Sequence, residues 1–156
     1  MGKWAKSGKL IKALLLNFQK DSFFKKSPPK STGRELFNVD WLNKFDIENY
    51  PPEDIQRTIL ELTVVTIRNA IKKFCSNVDE IYICGGGSRN KFLMERLEEI
   101  TGINIDTTEK LNIPSQQVEA VAFAWLAKKC IQKQYNNSPT ITGASGPRIL
   151  GVIHYS

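Results

Sequence analysis

The residues with the strongest chemical character lie in one short run, Ile81-Tyr82-Ile83-Cys84-Gly85-Gly86-Gly87-Ser88-Arg89-Asn90. Four residues of strand character end in three glycines, and helix-forming sequence follows from Asn90. Glycine, lacking Cβ, lets the chain turn sharply and lets a flat or phosphorylated ligand touch bare backbone. The start of the helix then offers unpaired N–H groups and partial positive charge to an anion. In open α/β sheets, ligands bind in the crevice beyond the carboxyl ends of the strands. Gly85, Gly86, Gly87 and Asn90 are therefore candidate ligand contacts. The dinucleotide pattern Gly-x-Gly-x-x-Gly fails, because residue 90 is Asn where a third glycine is needed. The plainer reading is a tight strand-to-helix turn, for which one or two glycines would serve.

Three further features carry polar chemistry. Lys30-Ser31-Thr32 is superficially like the end of a phosphate-binding P-loop, but the glycines that loop needs before its lysine are absent, and residues 28 and 29 are proline. The P-loop is rejected. Lys30, Ser31, Thr32 and Arg34 remain a dense set of donors on a proline-stiffened loop, suited equally to ligand contact and to anchoring the loop. Glu119 opens the run Ala120-Val121-Ala122-Phe123-Ala124-Trp125-Leu126-Ala127, whose alternating small and aromatic residues describe a helix apolar on most faces and packed closely on something. A carboxylate buried there needs a partner or a ligand; an exposed one would favour the helix dipole from the first turn. Thr140 to Arg148 is a small-residue loop that could line a crevice or simply connect two elements.

These residues need a scaffold, and the periodicity supplies one. Apolar residues Leu10, Ile11, Leu14, Leu15 and Phe18 predict an amphipathic helix over residues 5–19. Pro28 and Pro29 stop any helix, leaving residues 24–33 irregular and making residues 20–52 linker-like, with a short element near 35–45. Pro52, Glu53 and Asp54 are good helix-start chemistry for a long helix over 53–75, followed by a turn at 76–79. A strand at 80–84, a helix at 90–100 stopped by Gly102, and a strand at 103–107 come next. A helix over 115–133 with Ser115 as N-cap and a strand at 149–153 complete the pattern. Strands separated by helices predict an α/β fold with a parallel-rich sheet covered by helices.

Composition narrows the function. The 156 residues suit one domain, and 41% hydrophobic with 24% charged residues is ordinary for a globular chain. No apolar run approaches a membrane span. The three cysteines contain no Cys-x-x-Cys pair and the only histidine is His154, so a zinc site through Cys and His is excluded. Unpaired thiols suit a reducing cytoplasm, and Cys84 reads as a buried strand residue. The net charge is +6, but the lysines come in ones and twos, as at Lys25-Lys26 and Lys72-Lys73. Without a basic block or aromatic interleaving, nucleic acid is disfavoured as partner and a solvated surface is favoured.

In order along the chain, Pro28-Pro29-Lys30-Ser31-Thr32-Gly33-Arg34-Glu35, Cys84-Gly85-Gly86-Gly87-x-x-Asn90, Glu119-Ala120-x-Ala122-Phe123-Ala124-Trp125-Leu126-Ala127 and Thr142-Gly143-Ala144-Ser145-Gly146 resemble the C-terminal portion of the anhydro-N-acetylmuramic acid kinases. Each motif alone is weak; the ordered set is specific and spans essentially the whole chain. The resemblance implies the C-terminal lobe of an actin-like ATPase and sugar-kinase fold, ribonuclease H-like, with ATP and Mg in a cleft between two lobes. It also implies a reaction in which water opens the 1,6-anhydro ring and ATP phosphorylates the sugar. The product is N-acetylmuramic acid 6-phosphate, formed in peptidoglycan recycling. On this resemblance Gly85, Gly86 and Gly87 form the nucleotide-binding turn, Asn90 lies beside it, and Glu119 stands on the sugar side. Lys30, Ser31, Thr32 and Arg34 belong to a family hallmark with no assigned role. The family's N-terminal lobe, its first phosphate loop and its Asp-x-Gly-x-Gly-Asn-type segment, which holds the general-base aspartate, have no counterpart in these residues. The expectation is thus a single nucleotide-binding lobe over residues 1–156, inactive alone, working with a separate N-terminal chain or as a homo-oligomer. The alternative is a non-catalytic nucleotide-binding or protein-interaction module.

Overall fold

The amphipathic stripe over residues 5–19 does not form one helix. In the computed structural model, which describes residues 1–75 and 77–154, it becomes helix α1 at Lys3–Ser7 and helix α2 at Lys12–Phe18. Gly8 between them is extended, and a Cβ there would lie 2.0 Å from the Glu53 carbonyl oxygen. The Lys9 amide donates to Asp54 Oδ1 at 2.7 Å and the Ile11 amide to the Thr58 hydroxyl at 3.1 Å. Those bonds take donors that a continuous helix would spend on its own carbonyls, so the stripe breaks where its period gives no hint.

Residues 20–52, expected to be linker-like, carry helix α3 at Ser22–Lys25, helix α4 at Val39–Leu42 and two 3-10 turns, Asn43–Phe45 and Ile47–Asn49. They fold around Trp41, whose ring lies 5.0 Å from each of Phe18, Phe37 and Phe45. Asp21 pins the cluster: its carboxylate accepts the Phe23 amide at 2.8 Å and the Trp41 indole N–H at 2.9 Å. Leu14, Leu15, Phe18, Trp41 and Leu62 make one hydrophobic core.

Helix α5, Pro52–Phe74, is the spine. Proline costs nothing where no intrahelical acceptor exists, and Glu53 and Asp54 meet the positive end of the dipole while Lys72 and Lys73 meet the negative end. Its other face joins Ala5 and Leu97 through Leu60 and Val64 in a second core. Glu61 of the same helix is buried. Burial pushes its carboxyl up, but hydrogen bonds from Arg96 and Arg57 outweigh this and hold it below the ordinary carboxylate range.

Strand β1 at Glu80–Ile83 and strand β2 at Asn104–Thr107 pair in parallel, from Glu80 opposite Asn104 to Ile83 opposite Thr107. Helix α6, Lys91–Thr101, connects them and ends at Gly102, which takes the left-handed conformation at φ 68° as expected of a helix stop. Helix α7 follows at Val118–Ile131 and helix α8 at Pro139–Thr142. The expected turn at 76–79 includes Ser76, which lies outside the described residues. Among those residues no helix is long and apolar enough to cross a membrane.

The structure corrects four expectations. It is mostly helical, and its sheet, parallel as expected, has only two strands among the described residues. The strand expected at 149–153 does not form, because a side chain occupies its backbone. Buried Asn136 accepts the Leu150 amide and donates its own NH2 to the carbonyls of Leu150, at 3.0 Å, and Leu126, at 3.1 Å. Finally, the apolar run after Glu119 is left largely uncovered among the described residues. Helix α7 has no buried residue, and Phe123 is 71% exposed. Cys84 is likewise exposed, just beyond the end of β1.

Candidate functional site

The triple-glycine turn leaves β1 and enters α6, and its backbone shows which glycines the chain itself needs. Gly85 has φ 73° and ψ −168°, a region open essentially to glycine alone. Gly86 then begins the 3-10 turn Gly86–Arg89 without a positive φ. A Cβ on Gly85 or Gly86 would meet nothing within 4 Å, and one on Gly87 only Leu93 Cδ2 at 3.6 Å. At Gly86, therefore, neither conformation nor packing calls for glycine. The turn presents open backbone instead of filling a gap.

Hydrogen bonds hold Gly85 from both sides. Its N–H donates to the Ser115 carbonyl at 2.7 Å. Its own carbonyl accepts the Ser88 hydroxyl at 2.7 Å and the Gln116 side-chain NH2 at 2.7 Å. Ser115 was expected to cap the last long helix, but α7 starts three residues later with no side-chain cap, and Ser115 is buried at 5% exposure. Its amide and hydroxyl both donate to Glu109 Oε1, at 3.0 and 2.7 Å. Glu109 belongs to the 3-10 turn Thr108–Leu111 at the end of β2. The Thr107 side chain, then the amide and hydroxyl of Ser115, hold its carboxyl down at about 2.

Asn90 caps α6, its side-chain oxygen accepting the Leu93 amide at 3.1 Å, and its NH2 has no hydrogen-bond partner among the described residues. Glu119 stands exposed in the first turn of α7, three residues beyond Gln116, where a carboxylate favours the helix dipole. The turn and the start of α7 are thus joined directly. The other loop lies elsewhere. Lys30 donates to the Phe23 carbonyl at 3.1 Å and stands over the Phe23 ring, while Ser31, Thr32 and Arg34 are exposed. Pro29, Lys30 and Ser31 line a shallow hollow with Ile141 and Thr142. Gly143, at φ 74°, lies so close that a Cβ would be 2.9 Å from Pro29 Cγ. Two sequence motifs, the proline loop and the Thr142-Gly143 loop, therefore meet. Sequence reading missed Ser88, Glu109 and Gln116. Their only signal was a cluster of polar residues ahead of an apolar helix, which does not say what they bond.

Fold and site together define an α/β protein whose open glycine turn stands at the carboxyl end of a parallel strand pair. The chain belongs to the anhydro-N-acetylmuramic acid kinase family, which matches it over residues 1–156. It is 43% identical over 157 residues to the anhydro-N-acetylmuramic acid kinase of Ralstonia nicotianae, covering 98% of this chain and 41% of the relative. The kinase of Pseudomonas savastanoi pv. phaseolicola is 44% identical, with 98% and 43% covered. That of Aliivibrio fischeri is 45% identical, with 98% and 42% covered. The chain spans less than half the length of these curated relatives.

Proposed function

We propose that this chain is the nucleotide-holding part of an anhydro-N-acetylmuramic acid kinase with an actin-like ATPase fold, and that these residues alone do not turn over. The observation that carries the reading is Gly86, a glycine that its own chain does not require, flanked by open space on the backbone side a ligand would approach. ATP fits such a turn through bare backbone, as phosphates and flat bases do. ATP supplies the phosphoryl group. The chain's own residues bind and orient it: Gly85, Gly86 and Gly87 by contact, Asn90 through its unspent NH2, with Gln116 and Ser88 fixing the turn. Among the described residues no cluster of three Asp, Glu, His or Cys could hold a metal. Glu119 faces the amino sugar from the start of α7.

Phosphoryl transfer needs nucleotide, metal and nucleophile placed together. No aspartate here stands in a motif suited to a general base, so the remaining scaffold comes from further polypeptide. The relatives are more than twice as long as the matched region, and the bare apolar face of α7 is what such polypeptide would cover. That same face supports the second reading, an interaction module without catalysis. Incubating the chain with ATP and anhydro-N-acetylmuramic acid should give no phosphorylated sugar. Adding the portion of a relative that the chain does not match should restore turnover. Robust product from the chain alone would overturn the reading, and nucleotide binding without any turnover on complementation would favour the module.

A further inference from the structure

The glycine turn is not self-supporting. Its first residue adopts a glycine-only conformation, and besides the turn's own Ser88 hydroxyl it is held by a segment 30 residues downstream, where the Ser115 carbonyl accepts the Gly85 amide. Ser115 is fixed in turn by Glu109, whose one oxygen Oε1 accepts both its amide and its hydroxyl. The Ser115 hydroxyl also lies 3.2 Å from that of Ser88, which donates to the Gly85 carbonyl. A single carboxylate at the end of β2 thus reaches both sides of the turn at the end of β1.

We propose that Glu109 is a positioning residue: through Ser115 it sets where the Gly85 to Gly87 backbone stands, and hence how tightly a nucleotide binds there. The nucleotide half of this inference rests on the function proposed above; the placement of the turn does not. The carboxylate is ionised at neutral pH, held so by the donors around it. Charge-assisted hydrogen bonds of this kind are about twice as strong as neutral ones. Glu109 is itself exposed and lies outside both hydrophobic cores, so its loss should act on the turn and leave the cores in place.

The test uses the whole 156-residue chain with Glu109→Ala and Glu109→Gln. Amide hydrogen exchange is read at Gly85 and at Val64, which lies buried in α5 and reports global opening. ADP affinity is measured on the same samples. For Glu109→Ala, exchange at Gly85 should rise about tenfold with Val64 unchanged, and ADP should bind about fivefold or more weakly. Glu109→Gln keeps an acceptor oxygen and should recover most of both effects. Unchanged exchange at Gly85, or equal acceleration at Gly85 and Val64, would overturn the proposal, the latter marking a merely structural role. Unchanged ADP affinity despite a loosened turn would overturn the link to the ligand. If the unaltered chain binds no ADP while Gly85 still responds, the positioning of the turn stands and the nucleotide reading falls.

Discussion

Gly86 separates a ligand-contacting turn from a merely tight one, because the two readings predict changes of opposite sign. In Gly86→Ala the new methyl meets nothing within 4 Å and the backbone has no positive φ to strain. Replacing glycine at a compatible site stabilises by about 0.4–1 kcal/mol, since the unfolded chain has fewer states to lose. For a chain of this size that corresponds to a rise in Tm of roughly 1–3 °C. Gly86→Val gives up part of this gain through its restricted χ1 and should melt near the parent. Both side chains stand where a nucleotide would touch backbone. Affinity for a non-hydrolysable ATP analogue should fall by more than tenfold for the valine, about 1.4 kcal/mol or more. Gly85→Ala is the control: forcing alanine to φ 73° should cost about 1–3 kcal/mol of stability whatever binds. Melting and titration on one sample decide the matter. A Gly86→Val protein that melts several degrees lower and binds with unchanged affinity would mark a merely tight turn that no nucleotide touches.

Acid should destabilise the fold in a defined window. Asp21, Glu61, Asp106 and Glu109 all have folded values below their ordinary ones, so the stability they give is present above about pH 4.5 and is lost as pH falls toward 2. Tm should drop between pH 6 and pH 3, and a flat profile would contradict this. Asn136→Ala removes the side chain that holds residue 150 to the end of α7, so trypsin should cut after Arg148 faster than in the parent, at a local cost of about 1–3 kcal/mol. Equal cleavage rates would count against the clamp. The bare face of α7 should drive concentration-dependent self-association, and Phe123→Glu should reduce it with little effect on Tm. Sedimentation of the parent as a single monomer at high concentration would contradict that.

Local chemistry with a local partner was legible in the sequence. Pro52 with two acids started α5, Gly102 ended α6, and the strand before three glycines placed the turn within a residue. What escaped was each case in which a side chain far along the chain claims a backbone group. Asp54 and Thr58 split the first helix, and Asn136 takes the backbone that would have made a third strand. Glu109 draws Ser115 out of the capping role that its position before a helix suggests. The run after Glu119 is legible as apolar on most faces, but periodicity cannot say whether the cover lies in the same chain. Here, among the described residues, it does not.

Whether the triple-glycine turn holds a nucleotide is read most directly from a titration of the 15N-labelled chain with a non-hydrolysable ATP analogue. Saturable shifts centred on the amides of Gly85, Gly86, Gly87 and Gln116 are expected. Saturable shifts centred elsewhere, or none at millimolar analogue, would contradict nucleotide binding at the turn.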